Sequence, residues 1–285
     1  AKAVEGMPRH ASKHAAGVVI TDRPVSEYVP LAKNDDSVVT QYTMTTIEEL
    51  GLLKMDFLGL RTLTVIDDCV KAVREREPSF SIKNIPLDDE KTYDLFRNGD
   101  TYGVFQCESA GLRRVLSRLK PNNLEDIIAV ISLYRPGPMD SIDTYIENRH
   151  NPERVKYKTE MLRPILEVTN GCMVYQEQVM EIFRSLAGYS LGRADIVRRA
   201  MSKKKHDVME KERTTFIDGC GKNGISKETA NSIFDDMTSF ASYAFNKSHS
   251  AAYALVAYQT AYLKCHYPAE FMAALMTSVI DWTDK

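Results

Sequence analysis

Asp56 is the one acidic residue in the apolar run KMDFLGL, residues 54–60. A carboxylate on a buried strand has to be paired, protonated or bound to a metal. The flanking LGLLKMDFLGLRTLTVI alternates poorly and is rich in Leu, Val and Ile, as a strand covered on both faces would be. Asp56 is therefore expected near a strand end, facing a cleft.

Positive charge is concentrated in RRAMSKKK, residues 198–205, with five cations and no acid. Arg199 and Lys203 stand one helical turn apart and Arg198 and Lys205 two turns apart, so each pair shares a face. Two adjacent guanidiniums suit phosphate oxygens, although such a run also serves as a solvated face. In FNKSHSAAYALVAYQTAY, Ser248 or His249 opens a helix, and Asn246, Lys247 and His249 cluster at its N-terminus. That cluster reads equally as an anion site and as the cap of a buried helix. The rigid turn YRPGP, residues 134–138, fixes Arg135 at a helix end, where it can contact phosphate or cap the last carbonyls, and the cap is the preferred reading. His10 and His14 have the four-residue spacing of a zinc helix. The glutamate of H-E-x-x-H is replaced by Ala11, however, and the segment runs into a strand, so a loop or strand-entry role is expected.

The elements that carry these residues divide at about residue 60. Before it, AAGVVI, VVTQY and the Asp56 segment read as short strands between Gly, Pro and Asp punctuation. After it the pattern turns helical: TLTVIDDCVKAVRE, DDEKTYDLFRN, SAGLRRVLSRL, LEDIIAVISLY, YQEQVMEIFRSLAGY, RADIVRRAMSKKK, HDVMEKERTTFIDG, SKETANSIFDDMTSFA and SHSAAYALVAYQTAYLKCHY. Asp88 or Asp89, Ser109, Ser226 and Ser248 are the expected N-caps. The fold class is α+β, a small β-containing unit followed by a mostly helical one.

With 285 residues and 44% apolar content, the chain can bury a sizeable core. No run approaches the ~20 apolar residues of a membrane span, and AKAVEGMPRH lacks the regions of a signal peptide, so a cytosolic protein with no membrane partner is expected. Its Cys69, Cys107, Cys172, Cys220 and Cys265 form no C-x-x-C pair and read as reduced core residues. A net charge of -2 argues against coating DNA with the whole surface, which leaves the local basic run as the candidate contact. The start without methionine and the end on DWTDK suggest a piece of something longer.

Together, HASKHAAGVVI, KMDFLGLRTLTVI, FQCESAGLRRVL, LYRPGP, VYQEQVMEIFRSLAGYSLGRADIVRRAMSKKK and FNKSHSAAYALVAYQTAYLK closely resemble the alpha subunits of bacterial DNA polymerase III, the C-family replicative polymerases. The resemblance covers essentially the whole chain. It implies that residues 1–60 are the last part of the palm, a palm remnant, and that residues 61–285 are a fingers domain incomplete at its C-terminal end. It implies that Asp56 is the third of three palm carboxylates holding two Mg²⁺ ions for transfer of dNMP to a primer 3′-OH. The other two, on a D-x-D strand earlier in the palm, have no counterpart here, so the fragment alone is expected to be inactive. Lys54 and the pair Arg198 and Arg199 match residues that reach the triphosphate of the incoming dNTP. His249 matches a position beside the nucleotide sugar, where it can exclude a 2′-hydroxyl. Lys203, Lys204, Lys205, Arg135 and Lys247 are implied as nearby nucleotide or template contacts.

The implied partners are primer-template DNA, dNTPs and, through regions outside this fragment, other replisome subunits, in the bacterial cytoplasm at the nucleoid. Two other classes remain. A non-catalytic nucleotide- or DNA-binding module would bind template with salt dependence and without nucleotide dependence. A helical scaffold docking an acidic partner would be indifferent to both.

Overall fold

The computed structural model describes residues 12–34, 36–135, 137–202, 206–241 and 243–280, and the chain divides into two units, Ala1–Arg61 and Thr62–Lys285. His10, Pro136, Lys203, Lys204 and Lys205 lie outside the described residues.

The first unit is built on two antiparallel ribbons. Strand β1 (Gly17–Ile20) pairs with β4 (Leu53–Asp56), and β2 (Leu31–Asn34) pairs with β3 (Ser37–Thr40). A short helix α1 (Met44–Glu49) precedes β4. The expectation that Asp56 sits on a buried strand is corrected. Leu53 is 57% exposed, Phe57 62% and Asp56 itself about half-exposed. Among the described residues β4 has β1 as its one strand neighbour, so its apolar side chains are not covered as they would be in a layered sheet. Among the described residues of this unit, Val29 and Ile47 are the buried apolar ones.

The second unit is helical, which makes the molecule α+β. Its helices are α2 (Arg61–Arg74, its first residue counted with the preceding unit), α3 (Glu90–Asn98), α4 (Ala110–Leu119), α5 (Leu124–Leu133), α6 (Ile142–His150), α7 (Arg163–Leu166), α8 (Gln176–Ala187), α9 (Leu191–Ser202), α10 (His206–Lys222), α11 (Lys227–Ala241), α12 (Lys247–His266) and α13 (Pro268–Thr277). Caps locate several starts by accepting a free amide of the first turn. Asp89 accepts from the Thr92 amide (2.8 Å), Ser109 from Leu112 (3.3 Å), Asn123 from Asp126 (2.9 Å) and Ser226 from Thr229 (3.2 Å). At α12 the cap is Asn246, which accepts from the His249 amide, two residues ahead of the expected Ser248. Asn246 accepts there because its short side chain reaches an amide three residues on.

Three apolar clusters hold the helices. In the first, Ala254, Ala257 and Ala261 bring α12 close to α5, where Ile127, Ile128 and Ser132 lie. Ser132 and Ser250 satisfy each other across that contact at 2.6 Å. The second joins α8, α9, α10 and α11 around Phe183, Phe216 and Phe234, whose ring centroids lie 5.3 to 6.2 Å apart. The third packs α2 on α13 through Cys69, Val73 and Phe271. Burial pushes the Cys69 and Cys107 thiols up to about 12 and the Cys172 and Cys220 thiols up to about 11. Cys265, half-buried, is raised by the same cause. No helix among the described residues is long and apolar enough to cross a membrane.

Candidate functional site

In the first unit, chemistry gathers at the end of β4. Lys54 and Asp56 are two residues apart on one strand, so they share a face, and the Lys54 ammonium donates to Asp56 Oδ1. The register sets Gly17 of β1 opposite Asp56. A Cβ at Gly17 would lie 2.7 Å from Lys54 Cε, 2.9 Å from His14 Nδ1 and 3.1 Å from Asp56 Oδ1. The missing side chain is thus what lets the lysine, histidine and aspartate converge. His14 Nδ1 stands 3.8 Å from Asp56 Oδ1 and accepts the Ala16 amide at 3.2 Å. The hydrogen bond from Lys54 holds the Asp56 carboxyl below the usual carboxylate range, against a smaller opposing effect of burial. An ionised oxygen donor is therefore presented at neutral pH.

A cleft of 780 Å³ lies within this unit, with Val19, Leu31 and Ile47 as well as His14, Gly17 and Lys54 in its wall. Asp56 is not part of its lining. The described residues hold no group of three or more His, Cys, Asp or Glu side chains able to bind a metal. Asp56 contributes one carboxylate, already paired with an ammonium, whereas Mg²⁺ asks for an octahedron of oxygens. These residues alone do not make a metal centre.

In the second unit, α9 carries Arg198 and Arg199 with Asp195 one turn before them. Asp195 Oδ1 accepts from Arg198 at 2.8 Å and Asp195 Oδ2 meets Arg199 at 2.8 Å, so one carboxylate serves both guanidiniums. Hydrogen bonds from Arg198 and then Arg199 hold Asp195 below the usual range, burial opposing them. The two arginines differ in access: the Arg198 side chain is 14% exposed and that of Arg199 67%. Helix α9 is described to Ser202, so the faces proposed for Lys203 and Lys205 fall beyond it.

A separate cluster forms where residues 243–249 lead into α12. His249 is exposed, meets the Phe245 ring edge-on at 5.2 Å and lies 4.1 Å from Tyr253, which in turn contacts Phe105. Arg135 lies 3.7 Å over the Phe245 ring and donates to the carbonyls of Ser132 and Tyr243, both at 3.0 Å. The Ser132 bond is the helix-end cap that YRPGP suggested, and burial lowers the pKa of the guanidinium. Lys247 pairs with Glu125 of α5 at 3.0 Å, its ammonium 5.2 Å from the centre of the Tyr175 ring. Glu177 of α8 accepts from Asn246 Nδ2 at 2.9 Å and from the Lys247 amide at 3.1 Å.

The structure therefore brings Lys54 together with Asp56, Arg198 with Arg199, and Arg135 and Lys247 with the turn that carries His249. Sequence reasoning missed Gly17, Asp195, Glu177 and Phe245. Asp195 was detectable, since an acid three and four residues before two arginines falls on their face. Glu177, whose contacts lie 69 and 70 residues away, left no local signal.

Residues 62–224 match a family model described as the bacterial DNA polymerase III alpha subunit finger domain, and residues 1–59 one described as the bacterial DNA polymerase III alpha NTPase domain. The DNA polymerase III subunit alpha of Bacillus subtilis (strain 168) is 50% identical over 287 aligned positions, covering 100% of this chain and 26% of that protein. The Thermus aquaticus subunit of the same name is 52% identical over 289, covering 99% of the chain and 24% of the relative. That of Staphylococcus aureus (strain COL) is 49% identical over 280, covering 98% and 26%. The chain spans about a quarter of the length of the curated relatives it matches.

Proposed function

Since the chain belongs to the family of bacterial DNA polymerase III alpha subunits, we propose that it is a working part of a DNA-directed DNA polymerase, with residues 1–60 closing the palm and residues 61–285 forming most of the fingers. In this reading the longer protein transfers dNMP from a dNTP to a primer 3′-OH on a DNA template, in the bacterial cytoplasm at the nucleoid, and meets other replisome subunits through regions beyond this chain.

Asp56 would be one oxygen ligand of a Mg²⁺ site whose remaining acids belong to regions outside this chain. The ions, when bound, neutralise charge on the reacting oxygens. What this chain's own residues do is bind and orient. Lys54, Arg198 and Arg199 meet the triphosphate, as nearby positive charge stabilises the anion that develops on the leaving pyrophosphate. His249 stands beside the sugar. Lys203, Lys247 and Arg135 are further nucleotide or template contacts, of which Arg135 also builds the turn it sits on. The observation that supports this reading most strongly is the meeting of Lys54 and Asp56 over Gly17 on a solvent-reachable ribbon, an ionised carboxylate and an ammonium on one strand face. That Asp56 has no second carboxylate beside it among the described residues favours a second description for the isolated chain, a nucleotide- or DNA-binding module without turnover.

The test is single-turnover nucleotide incorporation by the full-length protein at saturating Mg²⁺ and dNTP. Asp56→Asn is expected to abolish chemistry while primer-template binding survives. The Arg198→Ala, Arg199→Ala double variant is expected to weaken dNTP binding and slow transfer. Normal turnover by the Asp56→Asn protein would show the carboxylate to be structural and defeat the reading at its central residue.

A further inference from the structure

Glu177 sits in the first turn of α8, half-buried, and no chemistry described so far uses it. Its two carboxylate oxygens are spent on the approach to α12. Oε1 accepts from Asn246 Nδ2 at 2.9 Å and from the Lys247 amide at 3.2 Å, and Oε2 accepts from the same amide at 3.1 Å. The Asn246 side chain has two ends, and with its NH₂ held by Glu177 its oxygen is left to face the His249 amide, at 2.9 Å. A flipped amide would set a donor against that N–H. Glu177 thus selects the amide orientation that caps α12.

Other contacts point the same way. The Gln176 amide donates to the Phe245 carbonyl at 2.8 Å and its side chain to the Ala244 carbonyl at 3.0 Å, so the start of α8 holds residues 244–246 as a short parallel bridge. From α5, Glu125 takes the Lys247 ammonium. Further along α8, Val179 and Phe183 share the core that holds Val197 and Met201 of α9, the helix of Arg198 and Arg199. One helix therefore supports both the paired arginines and the turn that carries His249. The Glu177 charge also sits well at the N-termini of two helices, where partial positive charge collects.

We propose that Glu177 is a positioning residue that fixes the first turn of α12 from α8, and through it the place of His249 relative to the arginine pair. This rests on the reading of His249 as the residue beside the nucleotide sugar. It makes discrimination against ribonucleotides depend on a carboxylate that does not touch the nucleotide.

The experiment uses the full-length protein in wild-type form and as Glu177→Ala, Glu177→Gln, Asn246→Asp, Glu181→Ala and His249→Ala. Glu181, on the same helix, pairs locally with Arg184 and Ser185 and is the control. Two quantities are read: the ratio of kcat/KM for a dNTP over the matching rNTP, and amide hydrogen exchange across residues 244–250. Glu177→Ala is expected to speed exchange there and to lower the ratio roughly tenfold, the equivalent of losing one charge-assisted hydrogen bond. Asn246→Asp, which sets two carboxylates face to face, is expected to do the same. Glu177→Gln, which still accepts one hydrogen bond, is expected to fall between, and Glu181→Ala to change neither quantity.

Unchanged exchange in both Glu177→Ala and Asn246→Asp overturns the proposal. So does faster exchange with an unchanged ratio when His249→Ala does lower it. If His249→Ala itself leaves the ratio unchanged, the sugar reading is what fails, and exchange alone decides whether Glu177 holds the turn.

Discussion

Two glycines near the end of α10 should respond to the same substitution with opposite signs. An alanine at Gly219 would place its Cβ 2.4 Å from the Ala187 carbonyl oxygen and 2.9 Å from Ala187 Cα, while a Cβ at Gly221 would meet nothing within 4 Å. In a helix interior Gly→Ala gains about 1 kcal/mol of helix propensity, and that gain applies in some measure to both sites. At Gly219 the obstacle is the backbone of α8, which no rotamer change relieves. A carbon and a carbonyl oxygen settle at about 3.3 Å or more, so α8 and α10 would have to part by nearly 1 Å. A gap of that width forfeits at least a quarter of the dispersion energy of contacts worth ~0.1–0.2 kcal/mol each, some 40–60 per buried side chain. For the Phe183 and Phe216 pair, packed between the same two helices, that sums to about 3 kcal/mol. Net of propensity, Gly219→Ala should cost about 2 kcal/mol, within the range seen for overpacked cores. Calorimetry should show its melting temperature lower by about 4–8 °C, and that of Gly221→Ala slightly higher. A Gly219→Ala protein as stable as the parent would mean that α8 and α10 are not in backbone contact at Ala187.

Asp126 is 3% exposed and receives the Arg149 guanidinium at 3.0 and 3.1 Å and the Asn122 amide at 3.2 Å. Asp126→Ala leaves that arginine without its carboxylate, holding only the Asn122 side-chain oxygen at 2.7 Å, and should cost about 3 kcal/mol in urea denaturation; a loss under 1 kcal/mol would show the pair to be screened. Asp89 caps α3 and meets His266 Nε2 at 2.9 Å. Burial opposes ionisation there, but the bonds from Thr92 and His266 outweigh it and hold the carboxyl below its ordinary range. A carboxyl lowered by folding adds stability that is complete above its unfolded value of about 3.9 and fades as pH falls through the folded one. Asp89→Asn keeps a good cap but removes this titration, so its stability should change less than the parent's between about pH 5 and pH 2; parallel pH profiles would refute the assignment.

Residues whose partners are close in sequence were legible. The caps Asp89, Ser109 and Ser226 each bond an amide three residues on, and the helices α2 and α8 are periodic enough to read directly, while α10 and α12 are legible by the length of their proline-free runs rather than by a sharp apolar stripe. Short elements escaped: α1 spans six residues and α7 four, too few to establish a period, and β2 carries a lysine in a four-residue run. The burial of β4 was misread because a Leu-rich strand looks the same whether or not other strands cover it. At the candidate site, Asp56, Arg198 and His249 stood out by type and context. Their supports did not: Gly17 acts across a ribbon and Glu177 across nearly seventy residues, and a pairing of that range depends on tertiary packing, which a local pattern does not encode.

The five cysteines have a practical consequence. Thiol-directed reagents attack the thiolate, and burial raises the pKa of each native thiol in the folded chain. The folded chain should therefore react slowly with maleimide at neutral pH, with the partly buried Cys172 and Cys265 the native sites to check first. A single cysteine introduced at an exposed position, such as Ser248 beside the α12 cap, becomes an addressable probe against that quiet background. A fluorophore there would report movement of the turn that leads into α12 directly, in real time, while nucleotide is added.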